Sequence, residues 1–151
     1  MAHLKTVLVL CMGNACRSQM AEAILNHDLA GRVRALSAGA RPEPNVSDGA
    51  ILALKDAGIS TEPLHTKSTD AVMGEPIDLV VTLCDNAREG YPVFPRPIPR
   101  MHVPFDDPCG ESLEGLIRMR EEIRERLIPV VCIALGGVSY TPSRIRTERP
   151  L

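Results

Sequence analysis

The chain begins with an apolar run that no polar residue interrupts, Val7-Leu8-Val9-Leu10, short, rich in β-branched residues and suited to a strand buried on both faces. Beyond it, Met20, Ala21, Ile24, Leu25 and Leu29 recur at helical spacing and predict a helix over 18–30. The two patterns then alternate. Val33 to Ala38 reads as a second strand, and Ser47 or Asp48 caps a helix that runs to Ala57, with apolar positions Ile51, Leu52 and Leu54, and stops at Gly58. Ile77 to Leu83 reads as a third strand and Asp107 to Gly110 as a loop. Ser112 to Ile128 reads as a helix with Leu113, Leu116, Ile117, Met119, Ile123 and Leu127 on one stripe. Six prolines, Pro92, Pro95, Pro97, Pro99, Pro104 and Pro108, remove so many backbone donors from one stretch that a stiff loop is expected there rather than a strand. Alternating strands and helices predict an α/β fold: a parallel sheet with helices on both faces and ligands at the carboxyl ends of the strands, where Cys11 and Cys84 both stand.

Composition narrows the picture. At 151 residues, with 44% hydrophobic and 24% charged positions, the chain is expected to fold as one domain over 1–135 around a single core. An extension over 136–151, with a glycine pair, prolines and arginines, is expected to be either disordered or packed on a partner. A formal net charge of −2 argues against a nucleic-acid partner, and no apolar stretch is long enough for a membrane span. The start, Met-Ala-His-Leu-Lys, carries no secretion pattern, so a cytoplasmic protein is expected. Five cysteines at irregular spacing then read as reduced thiols with catalytic or redox roles. Paired C-x-x-C spacing is missing and the four histidines form no ligand pattern, so neither a metal nor an organic cofactor is expected.

The chemistry concentrates in Cys11-Met-Gly-Asn-Ala-Cys-Arg-Ser18. Between a strand and a helix this segment must turn tightly, and Gly13 and Asn14 are residue types that accept a left-handed backbone. Such a loop directs successive amides inward as an anion nest, reinforced by the helix N-terminus behind it. The amides of Met12, Gly13, Asn14, Ala15, Cys16 and Arg17 would cradle a tetrahedral oxyanion, with the planar fork of Arg17 gripping two of its oxygens. Cys11 stands where that field converges. A free thiol ionises near pH 8.5, and nearby cations and helix N-termini favour the thiolate, to which Ser18 would add a hydrogen bond.

These residues resemble the low-molecular-weight protein tyrosine phosphatases and the arsenate reductases built on the same fold. Ser18-Gln19-Met20-Ala21-Glu22 is similar to the arsenate reductase branch, as are Ser37-Ala38-Gly39, Val80 to Ala87, Pro92-Val93-Phe94-Pro95 and Phe105-Asp106-Asp107-Pro108. The resemblance runs from about Thr6 to Leu127. It implies a three-layer α/β sandwich with a central four-stranded parallel sheet. It also implies that Asp107, directly before a proline, is the general acid, and that after Cys11 captures arsenate Cys84 attacks the adduct to release arsenite. The family's third, resolving cysteine corresponds to Tyr91 here. Three substitutes stay open: Cys109 in the acid loop, Cys16 inside the oxyanion loop, or an external thiol. The implied reductant is thioredoxin, glutaredoxin or a low-molecular-weight thiol.

The competing expectation is a phosphatase that hydrolyses phosphomonoesters through a cysteinyl phosphate, for which Cys11, Arg17 and Asp107 suffice. A phosphotyrosine ring wants aromatic walls, and the chain has no Trp, two Tyr and two Phe. A module that binds an oxyanion without turnover is disfavoured by that same complete set. His65 and His102 read as lone surface histidines, Cys132 as core packing, and the charges from Arg118 to Arg126 as a solvated helix face.

Overall fold

The computed structural model describes residues 4–108 and 112–137. Four strands, β1 (Lys5–Leu10), β2 (Val33–Ala38), β3 (Leu79–Thr82) and β4 (Arg100–His102), form one parallel sheet in the order β2-β1-β3-β4. The helices are α1 (Arg17–Asp28), α2 (Asp48–Asp56), α3 (Asp85–Glu89) and α4 (Leu113–Ala134), and a 3-10 turn spans Thr69–Val72. Val7 to Leu10 are buried, as the unbroken apolar run requires of a central strand. β1 pairs with β2 through Leu10↔Ala38 and with β3 through Leu10↔Thr82, and β3 continues to β4 through Thr82↔His102. The sheet therefore grows outward in both directions from β1 and β3. The crevice past their carboxyl ends is the switch point at which open α/β sheets bind ligands, and Cys11 is the first residue beyond β1.

Several sequence expectations change. The proline-rich stretch is not all loop, because β4 lies inside it. Pro99 and Pro104 flank this edge strand, and a proline still accepts: Val80 N–H donates to the Pro99 carbonyl and Val103 N–H to that of Thr82. α3 went unforeseen, being only five residues long. The buried stripe of α2 is Ala50, Ala53 and Leu54, whereas Leu52 is exposed. Those small alanines let α2 approach its neighbours closely. Leu113 is likewise exposed, although Leu116, Met119, Ile123 and Leu127 are buried as expected.

α4 passes through Pro129 instead of stopping at Ile128. Proline costs an interior hydrogen bond and crowds the preceding turn, but Ile128, Val131 and Cys132 remain buried and offset that cost. The helix ends where Gly136 and Gly137 take positive φ, with Gly137 N–H donating to the Cys132 carbonyl. The charged face of α4 is only partly solvated. Arg120, 5% exposed, bonds the Ala53 carbonyl at 2.7 Å and Asp56 at 2.9 Å, tying α4 to α2. Arg124 holds both carboxylate oxygens of Asp28 at 2.8 and 2.9 Å, tying α4 to α1. No helix among the described residues is long and apolar enough to cross a membrane.

Candidate active site

The loop from Cys11 to Cys16 turns its carbonyls outward. Arg41 N–H donates to the Met12 carbonyl, Glu43 N–H to Gly13 and Ser47 N–H to Ala15, at 2.8 to 3.0 Å. Among the described residues none of the amides of residues 12 to 17 donates to a protein acceptor. Asn14 supplies the left-handed turn at φ 51°, while Gly13 lies outside that region. What Gly13 provides is room, since a Cβ there would come within 3.1 Å of Glu43 Cγ. Gly39, which entered the sequence reading only as part of a motif, is more tightly constrained. A Cβ on it would stand 2.6 Å from the Met12 carbonyl and 2.8 Å from that of Cys11.

A buried hydrogen-bond chain ends on Cys11, and its direction can be read. Lys67 N–H, an unambiguous donor, bonds Asn14 Oδ1 at 2.9 Å, which assigns Nδ2 as the donating end of that amide. Asn14 Nδ2 donates to Ser18 Oγ at 2.8 Å and to Ser37 Oγ at 2.9 Å. Ser37 in turn donates to the Glu22 carboxylate at 2.6 Å. Ser18 thus accepts from Asn14, and its Oγ lies 3.1 Å from Cys11 Sγ, to which it can only donate once that sulfur is a thiolate. Gln19 Nε2 braces the same residue, donating to Asn14 O and Oδ1 and to the His65 carbonyl at 2.8 to 3.1 Å. Asn14, Ser18, Gln19 and Ser37 are all fully buried. Lys67 Nζ lies 3.5 Å from Glu22, balancing its charge. Gln19, Glu22, Ser37 and Lys67 were not singled out from the sequence. The first three lie in the quoted motifs, whereas nothing in the local pattern pointed to Lys67.

Arg17, the first residue of α1, donates from Nη1 to the Phe105 carbonyl at 3.0 Å and so links the loop after β1 to the segment bearing Asp106 and Asp107. Asp107 is exposed and close enough to Cys16 to act on its ionisation. Burial pushes the Cys16 thiol up to about 11, with Cys11 and Asp107 adding to the rise against Ser47 and Arg17. Cys16 is therefore a neutral thiol, its sulfur 3.9 Å from Met20 Sδ.

Cys84 is buried, two residues past β3, and caps the N-terminus of α3. Leu83 N–H donates to the Leu10 carbonyl, which places Leu83 alongside Cys11 and Cys84 one residue further along. His102 is no lone surface histidine. Its Nδ1 lies 2.7 Å from Thr82 Oγ1 and its Nε2 3.0 Å from Asp85 Oδ1, so it straps the two residues that flank the Leu83–Cys84 step. Nε2 faces a carboxylate and donates to it, while the Thr82 hydroxyl donates to the Met101 carbonyl at 3.3 Å. His65 is exposed, with its carbonyl engaged by Gln19. Cys132 is buried in α4, and burial raises its thiol. Tyr91 stands under the guanidinium of Arg100, 4.2 Å from ring centre to cation. Cys109 and the chain beyond 137 lie outside the described residues.

Known proteins are similar to this chain in sequence and fold. Arsenate reductase 1 of Bacillus cereus is 39% identical over 127 residues, covering 84% of this chain and 94% of that protein. A solved arsenate reductase in its phosphate-binding state superposes with a TM-score of 0.70 at 26% identity, covering 90% of this chain and all of the other. A thioredoxin-dependent arsenate reductase of Corynebacterium glutamicum gives 0.64 at 25% identity, over 87% of this chain and 63% of that one. Residues 6–131 match the family described as low molecular weight phosphotyrosine protein phosphatase, and to that family the chain belongs.

Proposed function

We propose that the protein is an arsenate reductase that works through Cys11 and Cys84. The observation that carries this reading is the directed hydrogen-bond chain ending on Cys11 at the floor of a loop whose carbonyls are turned away. A thiolate there, with a hydroxyl donating to it, has one accessible reaction: attack on the central atom of a tetrahedral oxyanion held by the amides of residues 12 to 17 and by Arg17. Asp107 supplies the proton that lets one oxygen of arsenate depart as water, and a Cys11–arsenic bond forms. Cys84 then attacks Cys11 Sγ. The sulfur–arsenic electron pair passes to arsenic, which leaves as arsenite, and two thiols have become one disulfide.

A phosphatase reading rests on the same Cys11, Arg17 and Asp107, with water cleaving a cysteinyl phosphate. The placement of aromatic rings favours the reductase. Phe105 is buried, and Tyr91 and Phe94 lie by the segment leading into β4, away from the carboxyl end where Cys11 sits. The relatives are named arsenate reductase. Comparing arsenite production, driven by thioredoxin or dithiothreitol, with hydrolysis of an aryl phosphate decides the matter. Cys84→Ser should abolish catalytic arsenite production and leave aryl phosphate hydrolysis intact. Undiminished arsenite production in that variant would remove Cys84 from the reaction.

A further inference from the structure

The charges from Arg118 to Arg126 read from the sequence as a solvated helix face, yet the last of them reaches the segment that carries Asp107. Arg126 Nη2 donates to the Pro104 carbonyl at 2.9 Å, and its guanidinium lies over the Phe105 ring, 4.4 Å from the centroid. Both contacts fall on the residues that lead into Asp106-Asp107-Pro108. Phe105 is a junction in its own right. Its N–H donates to the Leu83 carbonyl at 3.0 Å, its carbonyl accepts from Arg17 Nη1 at 3.0 Å, and its ring is buried.

Arg126 projects from a helix that is pinned on two sides. Ile123 and Leu127 are fully buried, Arg120 ties α4 to α2, and Arg124 ties it to α1. Arg126 therefore refers the segment bearing Asp107 to the packed core. Asp107 precedes Pro108, which confines its backbone to the extended region, so Asp106 and Asp107 form a stiff lever of about 7 Å. A tilt of about 10° at its base carries the far end by about 1 Å, enough to cost a reacting contact most of its effect. Charge pairing does not account for Arg126. Its pair with Glu122, at 2.8 Å, joins side chains 41% and 49% exposed, and such a pair contributes little. A guanidinium suits the other task, because its planar fork bonds a carbonyl at the edge while its flat face covers an aromatic ring.

We propose that Arg126 is a positioning residue for the proton transfer: it holds Pro104 and Phe105 against α4 so that the carboxyl of Asp107 meets the oxygen that departs from the bound oxyanion. The proposal rests on the reading of Asp107 as general acid. It applies to either departing group, water from arsenate or a phenol from an aryl phosphate. As Cys11 Sγ bonds to the central atom, the bond to the departing oxygen breaks, its electrons stay with that oxygen, and the proton passes to it from Asp107. Arg126 acts through Phe105 and not on the reacting atoms.

The test is the hydrolysis of two aryl phosphates by the full chain, read as kcat/KM, which reports the step in which the aryl oxygen departs. p-Nitrophenolate leaves readily without a proton and phenolate does not, so the spread between the two esters measures proton delivery. Arg126→Ala should lower kcat/KM about fivefold or more for phenyl phosphate and less than about twofold for p-nitrophenyl phosphate. With dithiothreitol as reductant, kcat/KM for arsenate should fall alongside the phenyl phosphate value. Arg126→Met, which keeps the aliphatic stem over the ring, should behave as the alanine variant does. Arg126→Lys, which keeps a donor and a cation, should recover part of the loss, and Glu122→Gln should match the parent. Thermal melting and the rate of Cys11 alkylation by iodoacetamide check the fold and the nucleophile.

An equal loss on both esters overturns the proposal, because a loosened fold or a displaced Arg17 acts on every substrate alike. Undiminished kcat/KM for phenyl phosphate and arsenate overturns it too. Asp107→Asn separates the proposal from the reading beneath it: if that variant leaves the spread between the esters unchanged, the general-acid assignment fails and the role of Arg126 falls with it. A parent chain that turns over neither arsenate nor either ester removes the functional reading itself.

Discussion

The loop carrying Cys11 and the segment carrying Cys84 leave adjacent strands at the same end of the sheet, but they are held in opposite ways. The Cys11 loop is over-determined: Asn14 makes four side-chain hydrogen bonds, three backbone carbonyls are tied down on one flank, and Gly39 closes the space beneath. The Cys84 segment leads into a five-residue helix too short to be stable alone, with no side-chain cap. His102 straps its first residue, and Ala87 is buried behind it. Capture of an oxyanion needs donors fixed in advance, because their stabilisation is lost if they must be ordered during the reaction. The redox step proposed above, which passes electrons from an external thiol toward arsenic, needs the opposite: a buried sulfur that can be reached by two partners in turn. One fold meets both demands by placing them on different strands.

The sharpest way to break the contrast is Asn14→Ala. It strands the Lys67 N–H and takes one hydrogen bond each from Ser18, Ser37 and Gln19 in a buried site, at a cost of about 2–4 kcal/mol in chemical denaturation. Arsenite production and aryl phosphate hydrolysis should fall together, by one factor, because both begin at Cys11. A fall in one alone would mean that the network does not serve the nucleophile.

His102→Ala probes the other region with a smaller effect. Losing the strap removes on the order of 1 kcal/mol from the local opening of α3, so alkylation of Cys84, followed by mass spectrometry, should accelerate roughly fivefold. Aryl phosphate hydrolysis should hold. If Cys84 reacts at the parent rate, α3 is held by packing alone.

The smallest effect lies outside both regions and serves as their control. Burial opposes ionisation of Asp28, but hydrogen bonds from Arg124 and His27 outweigh it and hold the carboxyl below its usual range. A carboxyl depressed by folding stabilises above its unfolded pKa, about 3.9, and that contribution fades as pH falls through the lower folded value. The stability gap between the parent and Asp28→Asn, measured by denaturation at several pH values, should therefore narrow below about pH 4 with no sharp change in either activity at neutral pH.

Much of the first region was legible in the sequence because its information is local. An apolar run, a tight loop with an asparagine that accepts positive φ, and a helix start lie within twelve residues, and each signal concerns only near neighbours. Ser18 beside Cys11 followed from the same reasoning. Its partners did not, since Ser37 and Lys67 arrive from 23 and 53 residues beyond Asn14. The second region was harder for a physical reason. β4 is three residues long and hidden among prolines that remove donors but keep acceptors, and α3, at five residues, is under two turns and too short to show a repeating pattern.

By itself, then, the amino-acid order determined the parallel α/β architecture, the position of Cys11 at a strand end, and the tight loop that joins it to the first helix. Those depend on periodicity and backbone preference, which act over a few residues. Only the tertiary structure decided that Ser37 and Lys67 meet Asn14 in the chain that reaches Cys11, that His102 straps the step at Cys84, and that Arg120 and Arg124 tie α4 to α2 and α1 rather than forming a wet surface. Each of these depends on groups far apart in sequence meeting within about 3 Å, and only the closed sheet brings them that near.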